Sequence, residues 1–385
     1  MITNIKIKNF KSLGNIHLDL NNLNIITGAN GGGKTSAIQV LLLLRQAYLN
    51  HFRNNSLSLK GELTTNLGLV QDIQYRNAED DNIKFQLSTK NCGELIWDFN
   101  IDDRDAANNY IIASSAPDFN QVMDSNIALF SNANFQYISA DRITPNSNLG
   151  KSPNPIDFKQ FGRQGEYTVE YLKECGDKSE ALIKMVYDDN IPPHPLPLIK
   201  QVNFWLSEIT SKVDLDIRKV TDLVYELRYK FHNGLSPDSF SAVNSAYGLT
   251  SALPIITALL AAKKGDLVII ENPESDLHPK GQSKMGELIA RVAQAGVQVI
   301  IETHSDHILN GISVAVHDNL LSNELLNVCF FHKPNGKMNT EMEKIEVAPT
   351  GHLQTRHLRH KGIEGFFDQA NKDLDIILGY NTVKI

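Results

Sequence analysis

Apolar runs of strand length alternate with longer apolar runs of helix length along this chain, which predicts an α/β fold. Residues 23–26 form a short apolar run that predicts a buried strand, and residues 36–44 form a longer one that predicts a buried helix. Two more buried strands are predicted at 267–270 and 296–301, with a helix between them that ends near residue 295.

Alternating polar and apolar positions predict further strands, because side chains along a strand point to opposite faces in turn. Residues 2–20 predict two strands joined by a turn, and the polar, asparagine-rich segment 51–135 predicts an antiparallel sheet with long loops. Strands are predicted again at 213–230, before a turn at Asn233 and Gly234.

A helical pattern extends from about residue 164 to residue 212, and the proline-rich segment 192–197 divides it into two pieces. No heptad pattern is sustained along the chain, so we expect a small helical insertion and no long coiled coil.

A glycine-rich segment joins the first predicted strand to the first predicted helix. It matches the phosphate-binding loop GxxxxGK[ST] at every fixed position, as Gly28-Ala29-Asn30-Gly31-Gly32-Gly33-Lys34-Thr35. Glycines allow successive backbone N–H groups to face phosphate oxygens, and the helix N-terminus adds partial positive charge. We predict that the nucleotide contacts are Asn30, Gly31, Gly32, Gly33, Lys34, Thr35 and Ser36, with the Thr35 hydroxyl also a Mg²⁺ ligand.

Acidic residues follow the predicted strand at 267–270, as Glu271-Asn272-Pro273-Glu274. An acid at the tip of such a strand can hold the water shell of Mg²⁺, which predicts Glu271 as the second metal residue. The next strand ends in Glu302-Thr303-His304-Ser305, which places His304 where it can contact the γ-phosphate.

Composition narrows the choice of protein class. With 42% hydrophobic and 21% charged residues the chain is an ordinary globular protein, and its net charge of −7 argues against an overall basic field for nucleic acid. Cys92, Cys175 and Cys329 lack metal-site spacing and indicate reduced thiols. Without an apolar signal segment or a run long enough to span a bilayer, we expect a cytoplasmic protein with no membrane contact.

These motifs, in this order, resemble those of the SMC/RecF/OLD group of ABC-type ATPases. The opening Lys8-Asn9-Phe10-Lys11-Ser12 before the P-loop is similar to that group. The combination of Glu271-Asn272-Pro273-Glu274, Leu277-His278-Pro279 and Glu302-Thr303-His304-Ser305 resembles small OLD-like ATPases of bacterial anti-phage operons. The resemblance implies an ABC-type ATPase head, ATP and Mg²⁺ as cofactors, and a homodimer or higher even oligomer formed around nucleotide.

Aligned on Pro273, Asn272 falls where ABC ATPases usually carry the catalytic glutamate. An amide cannot accept a proton from the attacking water, so the usual general base is missing. We therefore expect Glu302 or Glu274 to supply the base and turnover to be slow. The alternative is that both glutamates make structural hydrogen bonds.

The signature motif of the family corresponds to Gly248-Leu249-Thr250-Ser251, which opens a predicted helix. The resemblance implies that Gly248 and Thr250 contact the γ-phosphate of a partner subunit and that Asp276 lies in the D-loop at the dimer interface. An ordinary helix N-cap is the alternative for the Ser and Thr residues.

Several charged residues keep two interpretations at this stage. A strand at 135–140 ends at Asp141 and Arg142, and Arg142 can reach a phosphate or the dimer partner, or form a structural ion pair with Asp141 or another acid. The basic run 354–361 is expected to be a solvated loop, although it can also contact DNA or an acidic partner. Asp373 and Asp375 follow a helical rhythm and are expected on a helix surface, not in a nuclease site.

The predicted domains are an N-terminal ATPase lobe at 1–150, a helical insertion with returning strands at 151–235, a C-terminal ATPase lobe at 236–350 and a terminal segment at 351–385. We expect an ATPase that regulates a separate effector, a nuclease, in anti-phage defence. Alternatives are a nucleotide-gated scaffold that hydrolyses little ATP and a RecF-like DNA repair ATPase, which salt-dependent duplex binding would favour.

Overall fold

The computed structural model describes most of the chain in thirteen segments. They are residues 1–52, 55–90, 93–102, 106–144, 148–153, 160–180, 197–210, 212–231, 238–334, 339–360, 363, 365–367 and 369–378. Residues 192–196 of the predicted helix break at 192–197, the turn at Asn233 and Gly234, and Cys92 lie outside these residues.

The N-terminal strands form an antiparallel sheet with the order β2-β1-β7-β8. Its strands are β1 (Ile2–Phe10), β2 (Leu13–Asp19), β7 (Asn82–Thr89) and β8 (Gly93–Asn100). Two short pairs lie beside it, β4 (Ser56–Ser58) with β9 (Tyr110–Ile112) and β5 (Lys60–Gly61) with β6 (Thr65–Asn66). The predicted opening hairpin and the antiparallel sheet after the P-loop are both present.

A seven-stranded sheet forms the centre of the fold, in the order β10-β15-β16-β3-β17-β18-β19. Its strands are β3 (Leu23–Gly28), β10 (Phe135–Ile138), β15 (Leu267–Glu271), β16 (Gln298–Glu302), β17 (Leu326–His332), β18 (Glu341–Val347) and β19 (Leu353–Gln354). The first five strands in this order are parallel. Every residue in them is buried, as expected for parallel strands covered on both faces.

The central sheet separates two hydrophobic cores. Successive residues of β3 and β15 alternate between them: Ile25 and Ile270 pack in one core, and Ile26 and Ile269 pack in the other. The core on the side of Ile26 includes the N-terminal antiparallel sheet, whereas the core on the side of Ile25 includes the C-terminal helices.

The helices are α1 (Lys34–Leu49), α2 (Val70–Ile73), α3 (Phe119–Asp124), α4 (Thr168–Cys175), α5 (Leu198–Ile209), α6 (Tyr247–Ala261), α7 (Pro279–Gln294), α8 (Asp306–His317), α9 (Arg356–His360) and α10 (Gln369–Ile377). The longest helices among the described residues, α1 and α7, have 16 residues each, so this part of the chain has no long coiled coil. No described helix combines the length and apolar character needed to cross a bilayer.

A third sheet packs with α4 and α5, and two of its four strands, β12 and β13, fall within the segment 151–235 predicted as an insertion. It contains β11 (Asn148–Gly150), β12 (Val213–Lys219), β13 (Val224–Phe231) and β14 (Asp238–Ser241), with β13 paired to the other three. One prediction needs correction: part of the basic run at 354–361 is the short helix α9 and not a loop. The buried side chain of Leu358 anchors this helix to the core.

Candidate nucleotide-binding site

The loop between β3 and α1 has the backbone shape of a phosphate cradle. Gly28, Gly31 and Gly33 have φ angles of 143°, 72° and 94°, a region that residues with a side chain rarely adopt. Asn30 and Gly31, at the tip of the loop, are exposed. A Cβ atom at Gly28 would lie 1.9 Å from the carbonyl oxygen of Phe331 in β17, so only glycine fits there.

Two other segments pack on the base of this loop. The Thr340 hydroxyl donates a 2.8 Å hydrogen bond to the Ser12 hydroxyl, and the Thr340 N–H donates to the Ser12 carbonyl at 2.9 Å. A Cβ atom at Gly33 would lie within 2.8 Å of both hydroxyl oxygens. The turn between β1 and β2 is therefore part of the site, which explains why its sequence accompanies the P-loop.

Lys34 is the first residue of α1 and is only 3% exposed. Its ammonium group donates hydrogen bonds to the carbonyl oxygens of Gly28 and Ala29 at 3.0 and 2.8 Å. Burial lowers the pKa of Lys34, although Glu302 and Glu274 act in the opposite direction. The loop thus holds this cation beside the exposed backbone of its own tip.

Thr35 connects the P-loop to the neighbouring strand β16. Its hydroxyl donates a 2.8 Å hydrogen bond to Oε1 of Glu302, which is 5% exposed. Among the described residues, the buried Oε2 atom of Glu302 has no hydrogen-bond partner. Burial raises the pKa of Glu302 to about 7, and the nearby carboxylates of Glu271 and Glu274 contribute in the same direction.

Glu271 is paired with Glu302 in the parallel register of β15 and β16, so both acids lie at the same edge of the sheet. Its Oε2 accepts a hydrogen bond from the Ala140 N–H at 3.3 Å, and its carboxylate also accepts one from the Tyr137 hydroxyl. Burial raises the pKa of Glu271. The carboxylate that the Thr35 hydroxyl contacts directly is therefore Glu302 and not Glu271, the predicted metal partner of Thr35.

Glu274 lies in the turn after β15 and contacts the segment after β16. Its Oε2 accepts a 2.7 Å hydrogen bond from the Thr303 hydroxyl, and its Oε1 accepts a 2.8 Å hydrogen bond from the His304 N–H. The His304 side chain is exposed. Its pKa is lowered, first by partial burial and then by the positive charge of Lys34.

Asn272 and Arg142 shape the turn between these acids. Asn272 has a φ of 46°, in the left-handed region where asparagine is favoured among residues with side chains. Arg142 donates hydrogen bonds to the carbonyl oxygens of Ser139, Glu271 and Asn272 at 3.0, 2.9 and 2.8 Å. Of the two interpretations of Arg142, a structural role fits these contacts, although its partners are carbonyls and not the predicted acid.

The start of α6 lies against the turn that contains Asp276. A Cβ atom at Gly248 would lie 2.5 Å from the Asp276 carbonyl oxygen, and the Asp276 side chain is exposed. Thr250 differs from expectation, since it is only 1% exposed and its hydroxyl lies 3.3 Å from the Tyr229 hydroxyl. A buried hydroxyl on the inner face of α6 is not presented to a partner's phosphate, whereas Gly248 is at the surface edge.

A cavity of about 420 Å³ opens beside the turn between β1 and β2. Its lining includes Lys11, Ser12, Gln74, Tyr75 and Lys333. Ser12 lines this cavity and also lies beside Gly33 of the P-loop, so the cavity is next to the phosphate cradle. Gln74 and Tyr75 come from the loop after α2 and Lys333 follows β17, so no local pattern in the sequence links them to the P-loop.

Solved structures of SMC head domains share this architecture. One is an Smc head bound to the C-terminal winged-helix domain of ScpA, with 10% identity, a TM-score of 0.52, and coverage of 90% of this chain and 98% of the other. Another is a Pyrococcus furiosus Smc head with an extended coiled coil bound to the C-terminal domain of ScpA, with 12% identity, a TM-score of 0.53, and coverage of 90% and 96%. At these identities the likeness establishes the ABC-type head fold.

A search of curated proteins finds no match. The sequence pattern of one protein family does match, over residues 23–310, from the P-loop strand into α8. This span is well over half of the chain and includes the P-loop, the acidic strand tip and His304. The chain therefore belongs to the P-loop ATPase family described as "AAA domain, putative AbiEii toxin, Type IV TA system".

Proposed function

We propose that this protein binds ATP with Mg²⁺ at the β3–α1 loop and hydrolyses it slowly. The observation that carries the proposal is the 2.8 Å hydrogen bond between Thr35 and Glu302, which joins the end of the P-loop to the acidic edge of the sheet. This edge collects the carboxyl ends of parallel strands, where α/β proteins commonly bind ligands.

The residues at this edge fit a magnesium nucleotide. Glu302 has a buried oxygen without a partner among the described residues, and it lies near two other acids. A divalent cation would neutralise this excess negative charge and would orient the phosphates when bound. Thr35 and Glu271 would hold the metal, whereas the P-loop amides and Lys34 would hold the phosphates.

Glu302 is the residue that we propose as general base. Asn272 cannot accept a proton, and both oxygens of Glu274 already accept hydrogen bonds from the segment after β16. Glu302 keeps one oxygen without a partner among the described residues. Its position one strand away from the usual base is the reason for expecting slow turnover.

Binding of ATP would join two copies through the exposed edge that contains Gly248 and Asp276. The dimer would then regulate a separate effector, which we propose to be a nuclease, in anti-phage defence. Support comes from the family match and from the SMC heads, which were solved in complexes with domains of ScpA. A scaffold that binds ATP without turnover is the second candidate, and Asn272 at the usual base position favours it.

Phosphate release separates these two candidates. Pure wild-type protein with ATP and Mg²⁺ should release phosphate, and Glu302→Gln should reduce kcat by about 100-fold or more while ATP still binds, because general-base catalysis contributes roughly 10²–10⁴-fold. Glu324→Gln removes a carboxylate just before β17, at the opposite edge of the central sheet from the site, and should leave the rate unchanged. ATP binding without phosphate release would favour the scaffold, and an unchanged rate in Glu302→Gln would exclude Glu302 as the base.

A further inference from the structure

The carboxylate of Glu274 holds two successive residues of the segment after β16. It accepts hydrogen bonds from the Thr303 hydroxyl at 2.7 Å and from the His304 N–H at 2.8 Å. Thr303 is completely buried, and its hydroxyl oxygen also accepts a 3.0 Å hydrogen bond from the Ser305 N–H. One side chain therefore fixes the backbone on which His304 is mounted.

Gln282, on α7, makes a second connection between the same two segments. Its Nε2 donates to the Leu277 carbonyl at 2.8 Å, and its Oε1 accepts from the Ser305 hydroxyl at 2.5 Å. Ser305 also caps α8, since its hydroxyl accepts a 3.1 Å hydrogen bond from the Ile308 N–H. Residues 303–305 are thus fastened on both sides to the turn after β15.

The orientation of the His304 side chain depends on this backbone. The imidazole is exposed, and no hydrogen bond from it to another described residue is present that could orient it instead. His304 follows Glu302 by two residues, and the Glu302 carboxylate accepts a hydrogen bond from Thr35, so the segment that carries the imidazole lies beside the P-loop. A small rotation of the 303–304 peptide would therefore turn the imidazole ring away from the P-loop.

We infer that Glu274 is a positioning residue, whose carboxylate clamps Thr303 and the His304 N–H so that His304 faces the nucleotide. This inference rests on the proposed function and departs from the expectation that Glu274 can act as the base. To accept a proton from water, Glu274 would have to weaken the hydrogen bonds that hold the loop. As a clamp, Glu274 keeps both oxygens hydrogen-bonded to residues 303 and 304, whereas as a base it would need one oxygen free for water.

Hydrogen exchange tests the clamp without using catalysis. In the full-length protein, peptides that contain residues 303–305 should exchange faster in Glu274→Ala than in wild type, because the His304 N–H loses its acceptor. Glu287→Ala is the matched control, since the Glu287 carboxylate bonds Lys284 and Arg291 on the same helix. Unchanged exchange of these peptides in Glu274→Ala would overturn the inference.

A double-mutant cycle between Glu274 and His304 tests the catalytic part. Each of Glu274→Ala and His304→Ala should lower kcat by about tenfold or more, the loss expected for a hydrogen bond to a charged group, with a smaller change in KM. If Glu274 acts through His304, the double variant should be no slower than the slower single variant. Losses that multiply would contradict the clamp.

Thr303 supplies a variant pair that leaves both Glu274 and His304 in place. Thr303→Val should reproduce the faster exchange and the lower kcat, and Thr303→Ser should restore both because it keeps the hydroxyl. If Thr303→Val has wild-type kcat and wild-type exchange, the inference fails. A wild-type protein that releases no phosphate would refute the proposed hydrolysis, whereas the exchange comparison would still decide whether Glu274 clamps the loop.

Discussion

Gly28 shows how one residue joins the P-loop to the rest of the sheet. The carbonyl oxygen of Phe331 occupies the space where a Cβ atom would be, and the φ of 143° is itself unfavourable for any other residue. Gly31 has a positive φ as well, but a Cβ atom there would have no neighbour within 4 Å. Substitution of Gly31 therefore introduces backbone strain alone, whereas substitution of Gly28 introduces both backbone strain and steric overlap.

We predict that Gly28→Ala lowers the free energy of unfolding by about 3 kcal/mol or more, since it adds overlap with backbone to an unfavourable φ. Gly31→Ala should cost only about 1–2 kcal/mol, the price of a left-handed backbone. Urea unfolding followed by circular dichroism measures both. Equal losses in the two variants would contradict the close approach of Phe331.

The backbone shape of the P-loop could be predicted because the spacing of its glycines determines that shape. Glu302 and Glu274 were recognised as candidates, but their partners depend on which strands are neighbours. The contact of Thr35 with Glu302 arises because β16 lies between β3 and β15, and no local pattern contains this order. The burial of Thr250 in α6 could not be predicted from the sequence either, since it depends on a contact with Tyr229 in β13.

At the scale of elements, α7 and α8 cross at very short range through glycines. A Cβ atom at Gly311 would lie 2.0 Å from the Ser283 carbonyl oxygen, and one at Gly286 would lie 2.4 Å from the Ile308 carbonyl oxygen. Since α8 begins directly after His304 and Ser305, this crossing also determines where the His304 segment lies.

Gly311→Ala should therefore destabilise the protein by about 2 kcal/mol or more, because overpacking against backbone exceeds the gain in helix propensity. Gly150→Ala is the control: it lies in β11, and its Cβ atom would meet nothing within 4 Å. We expect this control to change the free energy of unfolding by less than about 0.5 kcal/mol. Denaturant titration of both variants provides the comparison, and a neutral Gly311→Ala would argue against the tight crossing.

Elements with strong apolar runs were predicted well, including β3, α1, β15, α7 and β16. The continuation of the sheet through β17, β18 and β19 was not predicted, although residues 328–331 form an apolar run that is typical of a buried strand. Its position beside β3 could not be read from that run, because pairing between distant strands leaves no local pattern.

At the scale of the molecule, one edge of the central sheet carries the proposed chemistry. The carboxyl ends of β3, β15 and β16 lie there together, with Asn30, Asp276 and His304 exposed around them. An exposed edge of this kind is available to a second copy of the chain, as the proposed nucleotide dimer requires.

With ATP and Mg²⁺, we predict that light scattering of Glu302→Gln reports twice the chain mass of 42.9 kDa, because slow hydrolysis preserves the nucleotide dimer. Chelation of Mg²⁺ with EDTA should return the protein to the monomer mass, and Lys34→Ala should stay at that mass throughout. If the measured mass does not change on addition of nucleotide in any variant, the proposed nucleotide-dependent dimer is refuted.

The central claim is that the β3–α1 loop binds magnesium nucleotide, and calorimetric titration with Mg–ATP tests it most directly. Wild-type protein should bind one nucleotide per chain. Lys34→Ala should lose at least about tenfold in affinity, as expected for removal of a charge-assisted hydrogen bond, whereas Lys60→Ala, at an exposed lysine of β5, should bind like wild type. Absence of binding in wild type, or equal affinity in Lys34→Ala, would contradict the account.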